Sequence, residues 1–322
     1  MTTGAGPGAA TVIGTSWMRK QDFQDQLLVD AMRERGLTEI PLYARDFPER
    51  TRAMQRWIEL APLRDGPVRA ERAPATDTAA VAAAIKARAR ALGADLVGAT
   101  ALRPGFVELG TELAHASVIA IACYEDYAKV LDGPDAVDLE AMRVYARCAE
   151  IATDLARYIR EEWGYPALAH HNGGTQIQAI PVMHAVGFGE LGKHGSLINP
   201  QFGANFRPGF VTTDLPLDYD RPIEFGVQDY CLTCNLCRNN CPADAIPAAY
   251  ITTDGVKRWL IDNAKCYTVS RFREEYCHIC IDACPYIHKT TRDPERRATY
   301  KTYMAERKHD GYRTPKSNRK RG

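Results

Sequence analysis

The chain has 322 residues, is 45% apolar and carries a formal net charge of +1. That length suits two domains and that composition a real core, while near-neutrality excludes attraction to nucleic acid or membrane by bulk charge. No run of 18 apolar residues is present to cross a bilayer, and Met1 to Ala10, with neither a charged-then-apolar pattern nor a twin arginine, implies a cytoplasmic location.

In chain order, Thr2 to Ala10 reads as disordered and Val12-Ile13-Gly14 as a short strand or turn. Gln21 to Arg35 places Phe23, Leu27, Leu28 and Met32 at helical spacing, with Gly36 as its stop. Pro62 to Pro74 reads as a connector. Thr76-Asp77-Thr78 opens an Ala-rich helix that runs to Leu92 and closes at Gly93. Leu96 to Ala99 and Ser117 to Cys123 read as buried strands. Asp138 to Trp163 is the clearest helix, its inward face marked by Tyr145, Cys148, Ala152, Leu155 and Ile159. This alternation predicts an α/β layered domain. His170 to Gly195 is rich in Gly, His and Asn, and its glycines suit either ordinary turns or close approach of backbone to a ligand. Lys308 to Gly322 is a basic tail; a solvated end is the simpler reading, and a nucleic-acid contact rests on charge alone.

Eight of the ten cysteines lie between positions 231 and 284. The first run is Cys231-x2-Cys234-x2-Cys237-x3-Cys241-Pro242; the second is Cys277-x2-Cys280-x3-Cys284-Pro285, with Cys266 eleven residues before it. A cubane cluster takes three thiolates from a tight loop and a fourth from elsewhere, and in two-cluster ferredoxins the last cysteine of each run serves the other cluster. This logic assigns Cys231, Cys234, Cys237 and Cys284 to one [4Fe–4S] cluster and Cys241, Cys266, Cys277 and Cys280 to a second. Paired structural zinc sites need as many thiolates, but they use paired C-x2-C units. Cys123 and Cys148, each in an apolar element, read as small buried hydrophobes. Two clusters in series form a wire, and the residues upstream are expected to hold its redox partner.

The stretch Ile180 to Ile198, containing Gly187-Phe188-Gly189-Glu190-Leu191-Gly192-Lys193-His194, resembles the glycine-rich signature of the reductive dehalogenases. Pro200 to Gly203, Arg207, Val211 to Leu217 and Arg221 to Ile223 continue the likeness, and Gly93 to Gly98 adds to it. The wider superfamily includes epoxyqueuosine reductase, from which this chain departs: Gln178 stands near the place of that enzyme's aspartate, and no C-terminal helical-repeat region follows. The resemblance implies an α/β (α+β) fold in which a nitroreductase-like, corrinoid-binding domain (76–224) precedes a ferredoxin-like module with two clusters (225–292) and a basic tail (293–322). Residues 1–75 are left to cover a substrate channel or to make a homodimer contact.

The same resemblance implies base-off cobalamin, an organohalide substrate and an external electron donor such as a ferredoxin, a flavodoxin or a reductase. The implied reaction replaces halogen by hydrogen, consuming two electrons and one proton. The family's proton donor is a tyrosine beside a basic residue, and Tyr145 with Arg207 are the candidates here. A nearby cation favours phenolate and eases proton release. Tyr124, Tyr127 and Tyr158 compete with Tyr145. Asn172, Gly173, Thr175, Gly187, Gly189, Gly192, Lys193, His194 and Ser196 are the expected corrinoid contacts. Glu190 reads as a structural cap, and His278 as a tuner of cluster hydrogen bonding. Two other readings stand beside this one: reduction of an epoxide or C–O bond by a related corrinoid enzyme, and electron transfer without corrinoid.

Overall fold

The computed structural model describes residues 21–108, 111–171, 176–253 and 256–286. The expectations for residues 2–14, for 293–322 and for Asn172, Gly173 and Thr175 lie outside them.

Helix α1 (Gln21–Glu34) ends at Gly36, whose φ of +64° is the left-handed stop that glycine adopts without a Cβ penalty. Two further helices, α2 (Pro41–Ala44) and α3 (Pro48–Leu60), each start on a proline, which has no amide hydrogen to leave unsatisfied in a first turn. Neither is foreseen above. In α4 (Thr78–Ala91) the Asp77 carboxylate caps the start by accepting from the Ala80 amide at 3.0 Å. Strands β1 (Leu96–Ala101) and β2 (Ser117–Tyr124) precede the long helix α5 (Pro134–Tyr158), which continues into a π-helical turn, Ile159–Trp163. Then come β3 (Ala167–His170), α6 (Ala179–Ala185), the short pair β4 (Glu190–Leu191) and β5 (Leu197–Ile198), and β6 (Phe206–Thr213). The cysteine-rich segment folds as α7 (Val227–Thr233), α8 (Leu236–Asn240), the ribbon β7 (Ile251–Thr253) with β8 (Val256–Arg258), α9 (Asn263–Ser270) and α10 (Ile279–Asp282).

The main sheet has the order β1-β2-β6-β3 and every pairing is antiparallel, so the layers are of the α+β kind. Strand β2 runs through its middle and is buried on both faces. Because side chains alternate along a strand, Ile119, Ile121 and Cys123 face the core built with α4 and α5, whereas Val118, Ala120 and Ala122 face α6, Phe188, Leu191 and Leu197. Helix α3 lays Trp57 and Leu60 against Ala141, Met142, Ala146 and Ala149 of α5. Part of the N-terminal region therefore belongs to the helical layer. Among the described residues no helix is long and apolar enough to cross a membrane.

Polar groups sealed into this core make stability depend on pH. His170 is fully buried at the end of β3 and its Nε2 lies 2.9 Å from the Thr212 hydroxyl. Burial, with the charges of Arg64, His115 and His171, lowers its pKa to about 3; burial and Arg64 lower that of His171 to about 4. Both rings are thus neutral in the folded protein, whereas an unfolded chain takes up their protons below the ordinary value of about 6.5. Stability is full above that value and falls as pH drops from there toward 4, by up to about 1.4 kcal/mol per pH unit for each ring. Urea unfolding is expected to show His170→Gln losing less stability than the parent chain between pH 7 and pH 5. Equal losses would contradict this account.

Candidate functional site

Strand β6 turns its odd-numbered residues toward α5. Arg207 pairs across the sheet with Cys123, and the Cys148 thiol of α5 donates to the Arg207 carbonyl at 3.1 Å. Tyr145 lies three residues before Cys148, one helical step along the same face. The Arg207 guanidinium consequently meets the Tyr145 phenol. Its Nη1 donates to the Tyr145 hydroxyl at 3.3 Å, and its carbon lies 5.1 Å from the centre of the ring. Trp57 of α3 backs that ring edge-on.

Two further groups hold Arg207, and sequence reasoning missed both. Its Nε donates to Glu125 Oε1 at 2.7 Å, and its Nη2 to the Tyr276 hydroxyl at 3.4 Å. Burial alone would lower the Arg207 pKa; the charges of Glu125, Tyr276 and Tyr145 outweigh it and hold the guanidinium well above its ordinary value. Desolvation pushes the Tyr276 phenol up to about 12 against the opposing charge of Arg207. Glu125 directly follows β2 and Tyr276 directly precedes Cys277. Neither position carries a periodic or spacing signal.

Tyr145 and Arg207 line a cavity of about 320 Å³. Its lining includes Phe206 and Phe210 of the sheet, Ile177 just before α6, Met183 of α6, Ser196, and Trp259, Ile261 and Tyr267 of the cysteine-rich segment. The lining is apolar and aromatic with a few polar groups, as small-molecule sites are. The Trp259 indole is 3% exposed, and its Nε1 has no hydrogen-bond partner among the described residues. A buried donor at a cavity wall awaits an acceptor.

In the glycine-rich stretch Gly187, at φ +77°, abuts the Arg221 carbonyl; Gly189 lies under the Ile198 carbonyl, 2.3 Å from where a Cβ would stand; Gly192 packs under Ile198 and the His194 ring. Their close approach is to protein. Lys193 is buried and its Nζ donates to the Cys234 carbonyl at 2.8 Å and to Asn235 Oδ1 at 2.9 Å. The His194 Nδ1 accepts from the Ser196 amide at 3.2 Å. Glu190 Oε2 accepts from the amides of Phe225 and Val227, which satisfies the start of α7. A Cβ on Gly195 would strike Ile261 at 2.3 Å. This stretch also forms a seam with the cysteine-rich segment, and of its expected cofactor contacts Ser196 lines the cavity. Two competitors of Tyr145 lie off the cavity: Tyr124 packs at a tilt on Phe202, and Tyr158 packs against the α4 core under Arg88.

Of the remaining cysteines, Cys123 and Cys148 are fully buried in the core. Burial raises the Cys237 thiol, and the charges of Cys284, Cys231 and Cys234 raise it further. Burial raises Cys280 well above its ordinary value, with Cys277, Cys237, Cys266 and Cys241 adding to the effect. Burial likewise pushes Cys277 up to about 11, where Cys266 and Cys241 are among the neighbours that raise it. The thiols therefore lie within electrostatic reach in two adjoining groups of four. Among the described residues no three His, Cys, Asp or Glu side chains close on the position of a single metal ion. Four converging thiolates repel one another, and a cationic centre relieves that repulsion, as protonation does. This donor set fits iron–sulfur cubanes. His278, next to Cys277, has its Nδ1 2.8 Å from Asp282 Oδ1.

No family model matches the chain. The tetrachloroethene reductive dehalogenase of Sulfurospirillum multivorans is 34% identical over 150 residues, which cover 44% of this chain and 29% of that protein. The enzyme of the same name from Desulfitobacterium hafniense is 29% identical over 219 residues, 62% of this chain and 39% of that one. The epoxyqueuosine reductase of Leadbetterella byssophila is 32% identical over 125 residues, 35% of this chain and 40% of that one. The solved structure of the catabolic reductive dehalogenase NpRdhA superposes with a TM-score of 0.67 at 27% identity, covering 80% of this chain and 41% of that one. The same enzyme has been solved with 3-bromo-4-hydroxybenzoic acid. The chain thus spans 29% to 41% of the length of these relatives. Sequence identity and fold point the same way, toward a chain similar to the reductive dehalogenases.

Proposed function

We propose that the chain is a cobalamin-dependent reductive dehalogenase that converts R–X, two electrons and one proton into R–H and halide. The observation that carries this reading is the Tyr145–Arg207 pair, in contact at the wall of a cavity that the cysteine-rich segment also lines. A solved reductive dehalogenase structure, 27% identical to this chain, suggests a mechanism for B12-dependent dehalogenation, which supports the cofactor. When bound, a corrinoid would supply the low-potential centre that breaks the carbon–halogen bond, fed one electron at a time through two cubanes.

The chain's own groups do the rest. Tyr145 releases its phenolic proton to the carbon that loses halide, and Arg207 stabilises the phenolate left behind. Phe206, Phe210, Ile177 and Met183 keep water from the reacting carbon. Trp259 Nε1 and the Ser196 hydroxyl offer hydrogen bonds to the amide-bearing rim of a corrinoid. Cys231, Cys234, Cys237 and Cys284 hold one cluster; Cys241, Cys266, Cys277 and Cys280 hold the other. An external one-electron donor reaches the clusters, and an organohalide occupies the cavity beside Tyr145.

The test is anaerobic reconstitution with iron, sulfide and cobalamin, followed by metal analysis and an assay with reduced methyl viologen and 3-bromo-4-hydroxybenzoic acid. Expected are one cobalt and about eight iron per chain, together with bromide release. Iron without retained cobalt would favour electron transfer alone; both metals without bromide release, but with reduction of an epoxide, would favour the related reductase.

A further inference from the structure

Arg207 has three guanidinium nitrogens, and each is held by a different part of the fold: Nε by Glu125 after β2, Nη1 by Tyr145 of α5 and Nη2 by Tyr276 of the cysteine-rich segment. We propose that Glu125 and Tyr276 are positioning residues, which fix the Arg207 guanidinium in one orientation so that Nη1 stays on the Tyr145 hydroxyl. This rests on Tyr145 being the proton donor and adds what holds its partner.

The surroundings support a fixed geometry. Glu125 is 4% exposed, and its second oxygen, Oε2, is buried with no hydrogen-bond partner among the described residues, so its charge is directed at Arg207. Its backbone is pinned as well: the Glu125 amide donates to the Asn205 carbonyl at 3.0 Å, and the Asn205 side-chain amide donates to the Glu125 carbonyl at 2.8 Å. Asn205 stands two residues before Arg207, so the acceptor and the guanidinium are tied to the same strand end. On the other side the Tyr276 ring stacks on His278 at 6.2 Å, and His278 is held by Asp282. A guanidinium carries its donors in a rigid planar fork, so fixing Nε and Nη2 leaves Nη1 a single direction. Left unheld, a long arginine side chain would sample several rotamers, and a displacement of about 1 Å is enough to cost 10²-fold in rate.

The decisive variant is Tyr276→Phe, which removes one hydroxyl and keeps the ring. In the reconstituted full chain, assayed with 3-bromo-4-hydroxybenzoic acid, kcat is expected to fall about tenfold, the effect of one charge-assisted hydrogen bond, while KM and the iron and cobalt content stay at parent values. In a Tyr145→Phe background the same change is expected to cost nothing further, because a residue that acts through Tyr145 has nothing left to position. Glu125→Gln, which keeps an acceptor on Nε, is expected to retain more kcat than Glu125→Ala. Parent-like kcat in Tyr276→Phe, or an equal further loss in the Tyr145→Phe background, overturns the proposal while the proton-donor reading stands. Parent-like kcat in Tyr145→Phe itself overturns that reading, and the proposal with it.

Discussion

Tyr145→Phe is expected to lower kcat by about 10²- to 10³-fold, the range over which a positioned general acid acts, with iron and cobalt content and folded stability unchanged. The substitution removes one oxygen. The ring remains to pack edge-on against Trp57 and beneath the Arg207 guanidinium, so the helical layer keeps its contacts. Lost is the hydroxyl that lies 3.3 Å from Arg207 Nη1 at the cavity wall. In the proposed reaction the completion of R–H takes up one proton, which this hydroxyl would supply. A chemically revealing outcome is therefore a solvent deuterium effect on kcat in the parent chain that disappears in Tyr145→Phe. Activity within a few-fold of the parent, with the isotope effect intact, would remove Tyr145 from the chemistry and return the search to other groups at the cavity. Arg207→Lys keeps a charge but gives up the planar fork that reaches Glu125, Tyr145 and Tyr276 together, so it is expected to behave more like Tyr145→Phe than like a conservative exchange.

The second large effect is expected at the thiols. Cys234→Ser and Cys284→Ser, though fifty residues apart in sequence, are expected to damage the same centre, leaving about four of eight iron per chain and the same residual electron paramagnetic signal. Cys241→Ser and Cys280→Ser are expected to leave the complementary signal. The physical basis is the grouping of charge: Cys237 is raised by Cys284, Cys231 and Cys234, whereas Cys280 is raised by Cys277, Cys266 and Cys241. Cys237 also acts on Cys280, so the two groups adjoin. Loss of either centre interrupts the wire, and bromide release is expected to fall to background. If Cys284→Ser instead shares its residual signal with Cys280→Ser, the crossed assignment is wrong and each run serves its own cluster. Zinc in place of iron in the anaerobic protein would remove both centres.

The relation of sequence to structure differs from element to element. The face of α5 was legible because it repeats every three to four residues, and β2 because eight consecutive small or apolar residues leave it no solvent face. The antiparallel sense of the sheet was not, since alternating helices and strands suit more than one strand order. The glycines of 187–195 announce close approach without naming what approaches; the fold reveals that backbone and the cysteine-rich segment are among what does. Helices α2 and α3 are short or strongly charged, and their apolar residues gain meaning only against α5.

By itself the amino-acid order proposed a grouping of the cysteines, because a tight loop carries its ligands at fixed short separations, and it determined the inward face of α5, because a helix repeats. The meeting of Glu125, Tyr145 and Tyr276 on the Arg207 guanidinium was decided by tertiary structure. Glu125, Tyr145 and Tyr276 stand 82, 62 and 69 residues from Arg207 along the chain, separations at which no local period operates. They meet because β6 lies beside β2 beneath α5, and because Lys193, Glu190 and Gly195 clamp the cysteine-rich segment onto that sheet's end.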